Sequence, residues 1–177
     1  MLPILLAIAF IAVISIVVIA GRPDEFVVTR TAKMAVSPAI VFAQVNDFHK
    51  WEALSPWAKM DPNCKNTFSG AAAGKDAGFA WNGNKKVGAG RMTILESRSS
   101  DLIRIKLEFL KPFQANNTAE FTFKPEGNRT VVAWSMSGKN NFFFKVFGVF
   151  MDCDKMIGKD FEKGLAAMKS VVETSGN

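Results

Sequence analysis

From residue 77 to residue 138, apolar and polar residues alternate in segment after segment, with only a few turn-forming residues between one segment and the next. Alternation with a period of two marks strands with one buried and one wet face, and strands joined by short turns pair as antiparallel neighbours. The clearest segment is 102–110, where Ile103, Ile105, Leu107 and Phe109 alternate with Arg104, Lys106 and Glu108, and Pro112 ends it. Residues 115–124 repeat the pattern with Ala119, Phe121 and Phe123 inward, 125–128 turn the chain, and 130–138 return with Val132, Trp134 and Met136 inward. Earlier, residues 77–81 lead into Asn82-Gly83, a pair suited to a tight hairpin because both residues tolerate positive φ, and 85–97 make the return strand. Gly88-Ala89-Gly90 in that strand lacks the third glycine and the following helix of a dinucleotide fingerprint; a bulge or a close backbone approach is expected there.

Such a sheet has one apolar face that something must cover. The stretch 140–173 fits that role: Phe147, Met151, Asp154, Gly158, Phe161, Leu165, Met168 and Val172 recur at alternating steps of four and three, one stripe of a helix. Asp152, Lys155, Lys159, Glu162 and Lys169 fall on the other side, so a half-solvated terminal helix is expected over 140–173. Upstream, residues 25–36 read as a strand. Ser37 is placed to cap a helix with Pro38 at its first position, running to about residue 46 with Ile40, Val41, Phe42 and Val45 buried. Residues 48–60, with Trp51, Trp57 and the breaker Ser55-Pro56, suggest a second short helix and a turn, and 66–69 a short strand.

The amino-terminal 21 residues carry no charged side chain, and Leu2 to Ala20 is apolar apart from Pro3 and Ser15. At about 1.5 Å per residue a helix of that length reaches about 30 Å, the thickness of a bilayer core. A transmembrane anchor over 1–21 is expected, followed by a linker at 22–25 and one domain at 26–174. A cleaved signal peptide is the alternative, since Val18 and Ala20 fit a small-residue pattern; the missing basic n-region and the length of the apolar run argue against it. Arg22, Arg30 and Lys33 follow the span and no Lys or Arg precedes it, which leaves the domain on the cytoplasmic side of a single-pass inner or plasma membrane protein.

Sixteen Phe and four Trp with no Tyr make an aromatic content almost without hydroxyls, which suits an apolar interior or cavity better than a polar catalytic cleft. The formal charge of +6 is spread among 22 basic and 16 acidic residues without a block of like charge, so no nucleic-acid partner is expected. Cys64 and Cys153 form no CxxC and there is one histidine, so neither a metal site nor a cofactor motif is expected. Their state, one disulfide or two free thiols, stays open.

Taken together, Phe26-Val27-Val28-Thr29-Arg30, Ser37-Pro38-Ala39-Ile40-Val41-Phe42, Asn46-Asp47-Phe48 with Trp51, Ser55-Pro56-Trp57, Gly88-Ala89-Gly90-Arg91-Met92 and Gly158-Lys159-Asp160-Phe161-Glu162-Lys163-Gly164-Leu165 resemble the START-like, or SRPBCC, superfamily in its polyketide cyclase/dehydrase and lipid-transport branch. The resemblance covers residues 26–172. It implies an α+β helix-grip fold: a curved antiparallel sheet of six or seven strands, closed by the terminal helix, around a hydrophobic ligand cavity. In such a fold core and pocket share the same two surfaces, and Trp81, Phe109, Phe123, Trp134, Phe147, Met151, Asp154 and Gly158 are the expected ligand-binding set.

Two residues could carry chemistry. His49 is the only imidazole, between Phe48 and Trp51 at a helix junction where a structural role is expected. Asp154 lies on the apolar stripe, where desolvation would raise its pKa into general-acid range, unless it sits at a wet cavity mouth or bonds to a loop. The leading expectation is binding, by transport, chaperoning or sensing, of a hydrophobic small molecule or lipid at a membrane. A cyclase or dehydratase using Asp154 or His49 as acid/base and a packed interaction module without ligand are the alternatives. Phe147, Met151, Asp154 and Gly158 are expected to face the cavity, and Phe161, Leu165 and Met168 to be solid core.

Overall fold

The computed structural model describes residues 2–140, 145–146 and 152–175, with the side chains at positions 2, 5–9, 11, 12, 15, 59, 153 and 175 outside that description. Seven strands, β1 (Glu25–Met34), β2 (Lys65–Gly70), β3 (Ala77–Asn82), β4 (Ala89–Arg98), β5 (Leu102–Lys111), β6 (Ala115–Glu126) and β7 (Arg129–Lys139), form one sheet in the order β1-β7-β6-β5-β4-β3-β2. All neighbours are antiparallel. The alternation dictates this arrangement: Ile103 and Ile105 on β5, Phe121 and Phe123 on β6, and Val132 and Trp134 on β7 are buried on a shared face. On the other face, Arg91 and Lys106 flank Glu108, while Arg104 bonds to both Glu96 and Glu120. These cross-strand ion pairs keep that face wetted.

The buried face is closed by helices. After β1, α2 (Pro38–Val45) presents Val41 and Val45, and two short 3-10 helices, Phe48–Ala53 and Ala58–Met60, follow before β2. Trp51 on the first of these is buried and donates its indole N–H to the Val45 carbonyl at 2.8 Å. The terminal helix, α3 (Cys153–Ser175), buries Phe161, Leu165, Met168 and Val172 against the sheet, as its periodicity requires.

The second of these four residues is followed through by its neighbour Gly164. A Cβ there would lie 2.6 Å from Cζ3 of Trp134 and 3.4 Å from the Leu54 carbonyl oxygen, so the glycine allows α3 to settle onto the Trp134 ring. Phe161 stacks on the same ring with centroids 4.2 Å apart and planes 8° from parallel, and Phe121 stacks near it at 4.8 Å.

The structure corrects several expectations. The terminal helix begins at Cys153, not at residue 140. Asn140 instead continues the edge of the sheet, its N–H bonded to the Asp24 carbonyl at 2.7 Å, and residues 141–144 and 147–151 lie outside the described residues. Ser37 precedes α2 in an extended conformation without a side-chain cap bond. Asn82-Gly83 does not make a two-residue hairpin. Residues 83–88 form a longer connection, closed by Gly83 N–H to the Gly88 carbonyl (2.8 Å) and organised by Asn84, whose side-chain oxygen accepts from the Lys86 N–H at 2.8 Å. Asp61 is buried and accepts the Asn84 N–H at 2.6 Å and the Asn63 N–H at 3.0 Å, which ties this connection to the segment before β2.

Gly88 and Gly90 have the expected backbone roles. Gly88 has φ of +69°, a Cβ on it would strike the Lys111 carbonyl, and the β4–β5 register shifts between Ala89 and Gly90.

At the amino terminus, α1 (Leu2–Ala20) is a helix of 19 residues. The expected transmembrane anchor is not supported by the described residues, among which no helix is long and apolar enough to cross a membrane. Part of α1's side-chain content falls outside that description.

Candidate functional site

The strand ends define two rims. One rim gathers the start of β1, the end of β7, the start of β6, the end of β5, the start of β4 and the end of β3, because Glu25 pairs with Lys139, Asn117 with Gly138, Phe109 with Ala115, Ala89 with Lys111 and Asn82 with Ala89. The link from α1, residues 21–24, enters at this rim. Asn140 holds it there through bonds to the carbonyls of Asp24 and Pro23, and Lys145 pairs with Asp24 at 2.5 Å. The α1-side rim and its opposite differ in how their apolar face is finished.

Away from α1, Met34, Ile94, Ile103, Phe123, Val132, Leu165 and Met168 are fully buried, with Ala32 and Phe42 half-buried against them. Toward the α1 side Phe26, Phe79, Trp81, Met92, Phe109 and Ile157 pack on that core but stay only half-buried. Trp81 is tied back by its indole N–H to the Val87 carbonyl at 3.3 Å and meets Phe109 edge-to-face, centroids 6.0 Å apart. Phe79 stacks beside it at 6.2 Å. The result is a cluster of half-buried aromatic and apolar side chains at the α1 side of the face between sheet and helix.

The expected ligand-binding set therefore divides. Trp81 and Phe109 belong to the half-buried cluster. Phe123 and Trp134 are core, at 2% and 3% exposure. The Trp134 indole nitrogen is a buried atom without a hydrogen-bond partner among the described residues, and the Trp51 and Trp57 rings meet the Trp134 ring edge-on. Phe147 and Met151 lie outside the described residues.

Asp154 and Gly158 meet an arginine that is not among the expected site residues. Arg30 occupies an inward position of β1, in parity with Phe26, Val28, Ala32 and Met34, and its guanidinium crosses α3 above Gly158. Its Nη1 and Nη2 donate to the Asp154 carboxylate at 3.1 and 2.9 Å, Nη2 to the Asp154 carbonyl at 3.1 Å, Nη1 to the Thr29 carbonyl at 2.9 Å and Nε to Glu162 at 2.9 Å. A Cβ at Gly158 would overlap the guanidinium, so the glycine makes room for Arg30. Asp154 is exposed rather than desolvated. Hydrogen bonding from Arg30 holds its carboxyl below the usual carboxylate range. That is the opposite of the raised pKa a buried general acid requires. An inward-facing arginine in an otherwise apolar strand face was the signal that could have found this partner.

His49 is exposed, its Nδ1 2.9 Å from Asp47 Oδ1 and its ring stacked on Phe68 with centroids 4.0 Å apart. Burial pushes the Asp47 carboxyl up, but the bonds from His49 outweigh it and leave the group below its ordinary value. Asp154 and His49 sit on different elements, each engaged by its own partner, and are not brought together. Cys64 is a free thiol pushed up by burial. Among the described residues no group of three or more His, Cys, Asp or Glu could hold a metal ion. Two open depressions, of about 440 Å³ beside Met156, Lys159 and Lys163 on α3 and about 510 Å³ beside Asn116, Thr118 and Ser137, lie outside the groove.

Comparison with known proteins agrees with the fold. The family profile described as "Polyketide cyclase / dehydrase and lipid transport" matches residues 25–173. Among solved structures, a protein of Thermus thermophilus is similar with a TM-score of 0.60 at 14% identity, covering 86% of this chain and 100% of its own. One from Chromobacterium violaceum gives 0.59 at 11%, covering 86% and 99%, and the Aha1 dimer of Colwellia psychrerythraea gives 0.59 at 11%, covering 84% and 96%. At these identities the likeness is one of fold. No curated protein matches the chain in sequence.

Proposed function

We propose that this chain, which belongs to the polyketide cyclase / dehydrase and lipid transport family, binds a hydrophobic small molecule or lipid in the groove between its sheet and α3, at a membrane, as a carrier, chaperone or sensor without chemistry of its own. The observation that carries this reading is the half-buried apolar mouth formed by Phe79, Trp81, Met92 and Phe109, which a packed module would have covered. It opens at the rim where α1 joins. At about 1.5 Å per residue the 19 residues of α1 extend about 30 Å, and a bilayer that held this charge-free helix would present the mouth to membrane-derived ligand at high effective concentration. The basic residues after α1 favour a cytoplasmic domain.

Native mass spectrometry of the full chain, released from its own membrane in mild detergent, tests the reading. An apolar adduct that recurs across preparations and is depleted in Trp81→Ala and Phe109→Ala is the expected result. Consistent recovery of ligand-free protein would overturn it.

A further inference from the structure

The α1-side rim carries a second feature that ligand binding leaves unused. At the ends of β5 and β7 and in the connection 83–88, Lys111, Lys139, Lys85 and Lys86 are exposed, and none has an ion pair among the described residues. Lysines elsewhere are commonly paired: Lys33 with Glu126, Lys106 with Glu108, Lys155 with Asp152 and Lys163 with Asp160. Between these unpaired cations stand two large apolar side chains, Leu110 and Phe113, 48% and 52% exposed on the β5–β6 hairpin. They are contiguous, because Ala89 pairs with Lys111 and Gly88 packs on the Lys111 carbonyl, which sets the 83–88 connection beside the hairpin tip. Of the acids at this rim, Asp61 is buried and Asp24 is paired with Lys145, which leaves Glu25 alone exposed and unpaired among the described residues.

We propose that this rim is a second membrane contact, resting on anionic phospholipid headgroups of the bilayer that α1 enters. Lysines set around protruding apolar side chains match an interface in which phosphates lie above the acyl boundary. The placement argues for lipid as the occupant: residues 21–24 join α1 to β1 at this same rim, so the domain turns these side chains toward any bilayer holding α1. The contact would hold the aromatic mouth against the surface rather than leave it swinging on its link. The proposal rests on the membrane reading of α1, and its test separates the two.

The full chain is reconstituted into vesicles of phosphatidylcholine alone and of phosphatidylcholine with phosphatidylglycerol. Carbonate extraction reports insertion of α1. Amide hydrogen exchange over 84–88 and 110–114 reports the rim, with 98–101 and 126–129 at the opposite rim as internal control. Slower exchange at the α1-side rim on anionic vesicles only, reversed by high salt and by Lys85→Glu with Lys86→Glu and Lys111→Glu, is expected; each lysine should contribute about a fivefold gain in surface partition. Salt reversal in the unaltered chain keeps the test independent of whether the variant folds. Equal exchange on both vesicles, with α1 resistant to carbonate, overturns the rim contact and leaves the anchor standing. A chain stripped by carbonate that still shows salt-sensitive protection on anionic vesicles overturns the anchor and supports the headgroup contact.

Discussion

Arg30 on β1 and Asp154 in the first turn of α3 are joined by a two-pronged ion pair, Nη1 to Oδ1 at 3.1 Å and Nη2 to Oδ2 at 2.9 Å, across 124 positions of sequence. With the bonds to the Asp154 carbonyl, Thr29 and Glu162, every N–H of the guanidinium has an acceptor. The arginine thus fastens the start of α3 to the sheet at the side where Phe26 and Ile157 are only half-buried. It also explains why the stripe on α3 changes from hydrophobic residues to Gly158 and Asp154 in its first two turns.

Replacing Arg30 by Lys keeps the charge but cannot reproduce the planar fork. Hydrogen exchange should quicken at amides of the first turn of α3, such as Met156, which donates to the Asp152 carbonyl, and stay unchanged at Leu165 and Met168. Equal exchange in the two proteins would show that charge alone fastens the helix.

The two glycines of α3 should respond differently to alanine. At Gly158 the new methyl meets the end of a flexible Arg30 side chain, which can move into solvent, and the better helix propensity of Ala partly offsets the lost ion pairs. At Gly164 it meets the Trp134 ring, fixed between Phe161 and Phe121. Gly164→Ala should cost about 1–3 kcal/mol by overpacking, read from urea unfolding of the detergent-solubilised chain, with Gly158→Ala clearly milder.

Acid should weaken the sheet through Glu108. Hydrogen bonds from Arg91 and Lys106 lower its carboxyl from 4.5 to about 2, so the folded state binds this proton less readily than the unfolded one. The stabilisation is complete above pH 4.5 and is lost as pH falls from there toward about 2. The drop in urea midpoint over that window should be smaller in Glu108→Gln. Asp154, held low by Arg30, adds a loss of the same sign.

What could be read in the chain was what local spacing encodes. Strand alternation placed Ile103, Phe121 and Val132 inward because a two-residue period survives any tertiary context that keeps one face wet. The later turns of α3 were equally plain, and Phe161, Leu165 and Met168 are core. Its start was not, because residues 140–152 contain no proline and continue an apolar pattern into which a helix can be drawn. The hydrogen bond from Asn140 to Asp24 that keeps the chain with the sheet is a long-range event. Arg30 was missed for the same reason: its carboxylate partners, Asp154 and Glu162, lie more than a hundred positions away, and only its inward parity on β1 marks it.

The division between mouth and core gives the sharpest comparison, because it sets two phenylalanines of the same sheet against each other. Phe123 is 2% exposed beneath α2, in edge-to-face contact with Phe42 at 5.7 Å, so truncation to Ala leaves a cavity and should cost about 3–5 kcal/mol. Phe109 is only half-buried, with Trp81 on one side, and part of its ring gains nothing from folding. Its truncation should cost well under half as much, since apolar stabilisation follows the area removed from water. If the groove holds a ligand, the order reverses for binding: Phe109→Ala should deplete the apolar adduct from a chain that remains folded, whereas a folded Phe123→Ala chain should retain it. Parallel urea unfolding and native mass spectrometry of the two variants measure both quantities, and a Phe109→Ala chain as unstable as Phe123→Ala would place Phe109 in the core and close the mouth.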